Sequence, residues 1–396
     1  MKKTKILLAT LAIFLPALAF ADAGWDNGFY IKSDDGHFKM NVGGRLQMQE
    51  VVQKRSATEN TPGNVARTAP NNFSDTFKIR RARVQTTGTL FEKLDWFTVI
   101  NTGTAAAGAT TFTTTWQAGF TYNFADYFRV SSGMVQLPMD RLGEGSSSWL
   151  LGIEPPLVAT QEDGLKDRTI ARASFGLPFD LGIRFDGDVG PHFSYAIGIG
   201  NGSGDRSLNT NNELSYGFRG MINILGKADY PEPDFAWSEK PNLSIGFGTG
   251  FEDEDAADAN VASITRKWSW SASGDVAFRY RGFSLNSEIY HRILKLDGIS
   301  VEDTNRDRKL RDVGYYANAG YFMVPKKLEL MLTASQIFRE GPDNNANEFG
   351  GGLNWYIKQN KVKMQLDYTN VLDYDEVPGL NNATYHRVRL MFSMFI

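Results

Sequence analysis

From about residue 38 to the C terminus, apolar and polar residues alternate with a period of two in short segments. Clusters of Gly, Asn, Asp and Pro separate these segments from one another. A period of two is typical of β-strands whose two faces meet different surroundings. In "FKMNVGGRLQMQ" one face carries Met40, Val42, Leu46 and Met48, and the other carries Asn41, Arg45, Gln47 and Gln49. The sequence therefore predicts an all-β fold.

Two architectures produce this alternation: a soluble β-sandwich or barrel with its apolar face inward, and a transmembrane barrel with its apolar face outward. Membrane barrels collect aromatic residues at the strand ends and alternate short turns with long polar loops. Short connections at 91–96, 122–128 and 279–284 are rich in aromatic residues, whereas long ones at 49–76 and 251–266 are polar. This asymmetry favours the transmembrane barrel.

The N terminus predicts export. Residues 1–21 have three lysines, an apolar run and small residues at Ala19 and Ala21, which is the layout of a signal peptide cleaved after Ala21. Residues 22–37 are predicted to form a short periplasmic lead, whose "SDDGHF" turn begins a hairpin with the first strand, and 38–396 the barrel. Cleavage would leave 396 − 21 = 375 residues. At about 10 residues per strand plus connections, we expect roughly 16 antiparallel strands.

The stretch "FKIRRARVQTTGTLF" (77–91) places four cations in one predicted strand. The alternation puts Arg81 and Arg83 in the lumen, because an arginine at the lipid midplane would cost roughly 2–4 kcal/mol. Lys78 and Arg80 would then lie on the other face near a strand end, where long side chains reach water.

The same phase assignment predicts a basic lumen, although the formal net charge is −3 and becomes −3 − 3 = −6 once the signal peptide is removed. Rings of Arg and Lys favour anions and phosphate, so we expect an anion pore. The predicted acids in the lumen are Asp186, Asp275, Glu288, Glu329 and Asp367. The predicted cations are Arg45, Arg81, Arg83, Arg129, Arg172, Arg184, Arg219, Arg279, Arg281, Arg292, Lys361, Lys363, Arg387 and Arg389.

Four segments resemble successive blocks of the phosphate-selective porin O and P family of Gram-negative outer membranes: "FKMNVGGRLQ", "FKIRRARVQTTGTLFEKLDW", "FRVSSGMVQLPMDR" and "YAIGIGNGSG". The resemblance runs from about residue 25 to the end. It implies a 16-stranded outer-membrane barrel, a homotrimer, and a third extracellular loop that is folded into the pore. The family's arginine ladder would correspond to Arg81 and Arg83, and further to Arg45, Arg129 and Arg389.

The third loop implied by the resemblance would follow "GMVQLPM" and span roughly 139–168. Its candidate constriction residues are Arg141, Lys166 and Arg168. Phosphate-selective members resemble one another in lysines at the constriction. This loop departs from that pattern, because it carries Glu144, Glu154, Glu162 and Asp163.

The predicted function is passive diffusion of small anions, with phosphate as a candidate solute. The other predicted partners are the lipid bilayer and lipopolysaccharide, and no nucleic acid. One alternative is a weakly selective general-diffusion porin, in which acids on an inward loop pair with the arginines. A structural or adhesive surface barrel, or a barrel enzyme, is the rival from another class. An enzyme needs a nucleophile with a nearby base, and no such set stands out in the sequence. The four histidines are scattered without metal-ligand spacing. We therefore expect no enzyme activity, no metal and no cofactor.

Overall fold

The computed structural model describes residues 21–25, 28–57, 73–104, 112–156, 175–177, 179–202, 213–257, 265–297, 309–340, 345–374 and 383–395. These residues form strands and one single-turn helix, α1 (Arg141–Glu144). The strands are β1 (Ala21–Trp25), β2 (Phe29–Ser33), β3 (Phe38–Ala57), β4 (Phe73–Leu90), β5 (Leu94–Thr104), β6 (Phe112–Ala125), β7 (Phe128–Gln136), β8 (Phe179–Val189), β9 (Phe193–Gly200), β10 (Ser215–Gly226), β11 (Asn242–Ala257), β12 (Thr265–Tyr280), β13 (Phe283–Asp297), β14 (Lys309–Val324), β15 (Leu328–Arg339), β16 (Ala346–Lys358), β17 (Val362–Tyr374) and β18 (Ala383–Phe395).

Strands β3 to β18 form a closed antiparallel barrel of 16 strands. Each strand pairs with the next one along the chain, and β18 pairs with β3 from Ala383 opposite Ala57 to Phe395 opposite Arg45. Closure gives every wall strand two neighbours, which is how a sheet can span a bilayer without an unpaired edge. The prediction of a 16-stranded antiparallel barrel is confirmed.

Burial along the strands is inverted relative to a soluble protein. In β17 the polar side chains of Lys363 and Asp367 are buried at 1% and 2% exposure, whereas Leu366 and Tyr368 are 47% and 45% exposed. Strand β18 repeats the pattern, with Arg389 buried and Leu390 exposed. An outward apolar face and a polar interior are characteristic of membrane barrels. The apolar face of these strands therefore points outward and the polar face inward, as predicted.

The connections differ in length at the two ends of the barrel. Most short turns join even-numbered strands to the following odd-numbered ones, as in the two-residue turn of Arg281 and Gly282 between β12 and β13. Both turn residues have positive φ, 46° and 81°, as the type I′ hairpin turn requires. The exception at this end is the connection 227–241 between β10 and β11, which has 15 residues.

The N-terminal strands extend the barrel wall. β1 pairs with β2, and β2 pairs with residues 39–42 of β3, beyond the point where β18 ends opposite Arg45. The predicted Asp-Gly turn joins β2 to β3, with the amide of Gly36 donating to the Ser33 carbonyl at 2.9 Å. Residues 1–20, which hold most of the predicted signal peptide, lie outside the described residues.

The best-buried apolar cluster lies inside the barrel and not within a two-layer core. Leu137, Met139 and Phe175, from the stretch after β7, pack with wall residues such as Tyr290 and Tyr316. This packing brings the chain after β7 against the interior face. None of the described residues belongs to a helix with the length and apolar character needed to cross a bilayer.

Candidate functional site

Residues 137–156, which follow β7, are held to the interior wall at both ends by ion pairs. Near the start, Arg184 of β8 donates to both carboxylate oxygens of Glu144, at 2.8 and 2.7 Å. Near the other end, Glu154 forms an ion pair with Arg80 of β4, including a hydrogen bond of 3.0 Å from Arg80 Nη2. Bidentate pairs of this type fix orientation as well as supplying energy. Two of the loop acids that depart from the family pattern, Glu144 and Glu154, thus bind wall arginines.

The middle of this segment is held by polar side chains of β17. Lys363 Nζ donates to the carbonyls of Ser148 and Leu150, at 3.0 and 3.3 Å. The Ile153 amide donates to Asp367 Oδ2 at 3.2 Å. Lys363, predicted as a pore-lining cation, therefore donates its hydrogen bonds to the backbone of the segment.

The long connection 227–241 meets the same segment from the other end of the barrel. Glu232 Oε2 accepts from the Leu151 amide at 2.6 Å, and the Glu232 amide donates to the Trp149 carbonyl at 3.0 Å. Arg141, a predicted constriction residue, donates to the Ala228 carbonyl at 2.9 Å. Sequence reasoning missed this connection, although its "YPEP" stretch between two strand patterns marked a long, irregular turn.

Arg45 and Arg83 lie directly opposite each other on β3 and β4, with their side chains on the interior face. Arg45 donates to the hydroxyls of Ser147 and Ser146, at 2.8 and 3.1 Å. Within the described part of the chain, neither arginine forms an ion pair with a carboxylate, and the Nε atom of each is buried without a hydrogen-bond partner. Like charges directly opposite are destabilising, so this pair is suited to an anion from solution.

A cavity of about 620 Å³ adjoins this pair. Its lining includes Arg83, Ser146, Ser147 and Trp149. Arg184 also lines the cavity, but its charge is offset by Glu144 at 2.7 Å. Of the two lining arginines, Arg83 is the one that has no ion pair with a carboxylate among the described residues.

Asp140 adds a titratable group to the same cavity. Burial raises the pKa of its carboxyl to about 6, although the charge of Arg219 and the hydrogen bond from the Gly143 amide act in the opposite direction. The Tyr290 hydroxyl lies 3.4 Å from Asp140 Oδ2, and the charge of Glu144 raises the pKa further. The negative charge beside Arg83 thus changes close to neutral pH.

A β-bulge in β4 changes the predicted side-chain phase at Arg80. Gln47 of β3 is opposite Arg81, whereas Met48 is opposite Ile79, so Arg80 is the extra residue. Because of the bulge, Arg80 and Arg81 both reach Glu154 on the interior face. The expectation that Lys78 and Arg80 lie near a strand end is wrong, because β4 begins at Phe73. The extra residue also reverses the alternation before Arg81.

Most other predicted lumen arginines have wall carboxylates as partners. The shortest distances are 2.6 Å for Arg129 to Asp186, 2.7 Å for Arg219 to Asp275, 2.8 Å for Arg389 to Asp367 and 3.9 Å for Arg387 to Glu348. Arg292 pairs with Asp312. Such pairs leave little net charge for a passing ion.

Three predicted cations have other surroundings. Arg279 donates to the Pro231 carbonyl at 2.9 Å and to Asn286 at 2.7 Å. Arg281 and Lys361 are not strand residues; they lie in the turns after β12 and β16, because each strand ends before them. Arg172, Lys166 and Arg168 lie outside the described residues.

The interior holds more acids than the alternation predicted. Four of the five predicted ones are buried, the fifth, Asp186, pairs with Arg129, and the wall adds buried Asp180, Glu252, Asp312 and Glu348. The connecting segments add Asp140, Glu154 and Glu232. The predicted excess of cations is therefore too large, since it was counted on strands alone.

Comparisons with known proteins agree with this architecture. The family model described as phosphate-selective porin O and P matches residues 60–394. Among curated proteins, none is similar enough to count as a match.

Three solved structures with a similar fold are outer-membrane proteins. The anion-selective porin from Comamonas acidovorans has a TM-score of 0.58 and 10% identity, covering 90% of this chain and 100% of its own. The outer membrane channel DcaP of Acinetobacter baumannii has a TM-score of 0.55 and 11% identity, covering 92% of this chain and 99% of its own. The trimer form of OmpT from Vibrio cholerae has a TM-score of 0.52 and 10% identity, covering 90% of this chain and 99% of its own.

At such low identities these structures establish the fold, whereas the family model covers most of the sequence. Its span includes β4 to β17 and most of β18, with the arginine-bearing segment of β4 and the chain after β7. The chain therefore belongs to the phosphate-selective porin O and P family and is an outer-membrane channel.

Proposed function

We propose that the channel passes small anions, phosphate among them, by passive diffusion. The observation that carries this proposal is the Arg45 and Arg83 pair, which faces the interior without a carboxylate partner in the described residues. A low-dielectric wall strengthens the field of such charges, and arginines bind phosphate oxygens through several donors at once. Transport requires no cofactor and no covalent step.

The narrow part of the pore, in this proposal, is formed by residues 137–156 together with 227–241. The two segments are joined by the Glu232 and Leu151 hydrogen bond. Wall side chains such as Lys363 and Asp367 hold the first segment in place. A solute passing the cavity would therefore meet Arg83, the Ser146 and Ser147 hydroxyls, and the edge of this segment.

The proposal includes a homotrimer, export by the N-terminal signal peptide, and contact of the exposed apolar face with lipid and lipopolysaccharide. A trimer form is recorded for OmpT of Vibrio cholerae, which has this fold. Anion selectivity is stated for the Comamonas acidovorans porin. These likenesses support the proposal by analogy of fold.

A second candidate is a weakly selective general-diffusion pore. The observation in its favour is that Arg129, Arg219 and Arg389 are already paired with wall carboxylates. Because paired charges attract passing ions weakly, selectivity would rest on few residues.

The reversal potential of the purified protein in a planar bilayer under a potassium chloride gradient separates the two candidates. Anion transport predicts a chloride-selective reversal and block of the chloride current by added phosphate. A reversal potential near zero without phosphate block would support general diffusion and contradict the proposal.

A further inference from the structure

Glu154 occupies one end of a row of arginines on the interior face. Arg81 and Arg83 are two residues apart on β4, and Arg45 lies opposite Arg83 on β3. The Glu154 carboxylate lies 3.5 Å from Arg81 Nη2, and it also pairs with Arg80. Arg81 has no other carboxylate partner among the described residues. Glu154 therefore offsets the charge of the third arginine in the row.

The carboxylate is ionised and shielded from solvent. Its side chain has 0% exposure. Burial alone would raise the pKa of Glu154, but the charges of Arg80 and Arg81 outweigh burial and hold the pKa well below its usual range. The following residue, Pro155, lines the cavity that contains Arg83. A tethered anion thus stands beside the cavity in which a solute anion would bind.

The backbone that presents Glu154 is anchored without its side chain. The Leu151 carbonyl accepts from Asn354 at 2.9 Å and from Gln365 at 3.0 Å. The Ile153 amide donates to Asp367 at 3.2 Å. The residue before a proline is also confined to extended conformations. These hydrogen bonds would therefore keep the backbone next to Glu154 in place when its ion pair with Arg80 is lost.

We infer that Glu154 is a tethered anion that sets the selectivity of the pore by filling the Arg81 end of the arginine row. Among the described residues, it limits the arginines of the row that have no carboxylate partner to Arg45 and Arg83. Removing its charge adds Arg81 to these two and extends the site for small oxyanions such as inorganic phosphate. The inference rests on the proposed anion transport and identifies the residue that restrains it.

The test is Glu154→Gln, which keeps the size of the side chain and removes its charge. We expect the phosphate concentration that halves the chloride current to fall about tenfold, the equivalent of about one charge-assisted hydrogen bond. The chloride-to-potassium permeability ratio should rise. In the double variant with Arg81→Gln, the half-blocking concentration should return at least to the wild-type value.

Glu144→Gln is the matched control in the same segment. It removes the same charge, but Arg184 keeps a carboxylate partner, Asp186, at 3.3 Å. We expect the half-blocking phosphate concentration to change by less than about threefold there, because Asp186 still offsets the charge of Arg184. An equal change in both variants would mean that segment charge alone sets selectivity, and would overturn the inference.

The outcomes distinguish this inference from the proposed function. A selective wild type with an unchanged, folded Glu154→Gln variant overturns the inference and keeps anion transport. An unselective wild type with a selective variant overturns anion transport and keeps the inference. If Glu154→Gln does not fold, Glu154→Asp is the second test, because it moves the charge away from Arg81 by the length of one methylene. It should lower the half-blocking phosphate concentration by a smaller factor. No decrease would overturn the inference.

Discussion

The Arg184 guanidinium in β8 donates to both carboxylate oxygens of Glu144 in α1, at 2.8 and 2.7 Å. Both side chains are largely buried, at 16% and 9% exposure. Removing one partner of a buried pair leaves the other charge uncompensated, which can cost about 3–5 kcal/mol. This pair is therefore the main polar attachment between β8 and the start of 137–156.

We predict that Arg184→Gln loosens this attachment and leaves the barrel folded, because the backbone pairing of β8 with β7 and β9 is unaffected. Hydrogen–deuterium exchange of peptides covering 137–156 should become at least about tenfold faster, since exchange reports local opening. Arg129→Gln serves as the control, because Arg129 pairs with Asp186 and Asp188 of the wall and not with this segment. Unchanged exchange in Arg184→Gln would contradict the assigned role.

Asp140 makes ion preference depend on pH. Burial raises its folded pKa to about 6, above the value of about 3.9 in an unfolded chain. The folded protein therefore favours the protonated form, and stability falls as pH rises from about 4 to about 6, where the unfolded chain is already ionised and the folded carboxyl is still neutral. Above about pH 6 the carboxyl is a buried anion. The new charge lies in the cavity with Arg83 and near Arg219, Glu144 and Tyr290.

We predict a higher chloride-to-potassium permeability ratio at pH 5 than at pH 7.5. Asp140→Asn should remove the part of this dependence with a midpoint near 6, and Asn still suits the position before α1 because it can accept the Gly143 hydrogen bond. The measurement is the reversal potential over a pH series for both proteins. The same midpoint in the variant would assign the titration to another group.

The turn between β12 and β13 gives a prediction about stability. Gly282 has φ of +81°, and a Cβ atom there would lie 2.4 Å from Trp237 Cζ3. Gly282→Ala should therefore lower the free energy of unfolding through both backbone strain, about 1–3 kcal/mol, and displacement of Trp237.

Two other glycines separate these causes in urea unfolding of the folded barrel in detergent. Gly190 has φ of +63° and open space around it, so Gly190→Ala should show the strain without the clash. Gly274 has ordinary φ, and its nearest atom is at 3.8 Å, so Gly274→Ala should change little. Equal stability of the Gly282 and Gly190 variants would exclude a contribution from Trp237.

The alternation along the chain was sufficient for the barrel and for much of the interior wall. Residues such as Arg389 and Leu390 are adjacent in sequence and have opposite exposures, as a period of two requires. Arg81 contacts Glu154 and Arg83 lines the interior cavity, positions that agree with the high cost of arginine in lipid.

The β-bulge at Arg80 could not be predicted from the alternation of apolar and polar residues. A bulge is set by the pairing of two strands, here by Gln47 opposite Arg81 and Met48 opposite Ile79. The sequence of one strand does not contain that register. Arg281 and Lys361 were misplaced for a related reason, because strand ends are fixed by turn geometry and not by the alternation.

Predicting which carboxylates pair with the wall arginines would have required the positions of the connecting segments. Glu144, Glu154 and Glu232 are far from their partners in sequence, and a strand pattern gives no distance between a loop and the wall. The count of lumen charges from strands alone therefore overstated the positive field.

We attribute the anion preference to Arg45 and Arg83, which form no ion pair with a carboxylate in the described part of the chain. The most direct test is the reversal potential of the double variant Arg45→Gln and Arg83→Gln under a potassium chloride gradient, beside wild type and Arg129→Gln. We predict a shift toward potassium that is larger than that of Arg129→Gln, whose loss leaves Asp186 with Arg184. Coincident reversal potentials for wild type and a folded double variant would exclude Arg45 and Arg83 as the source of the anion preference.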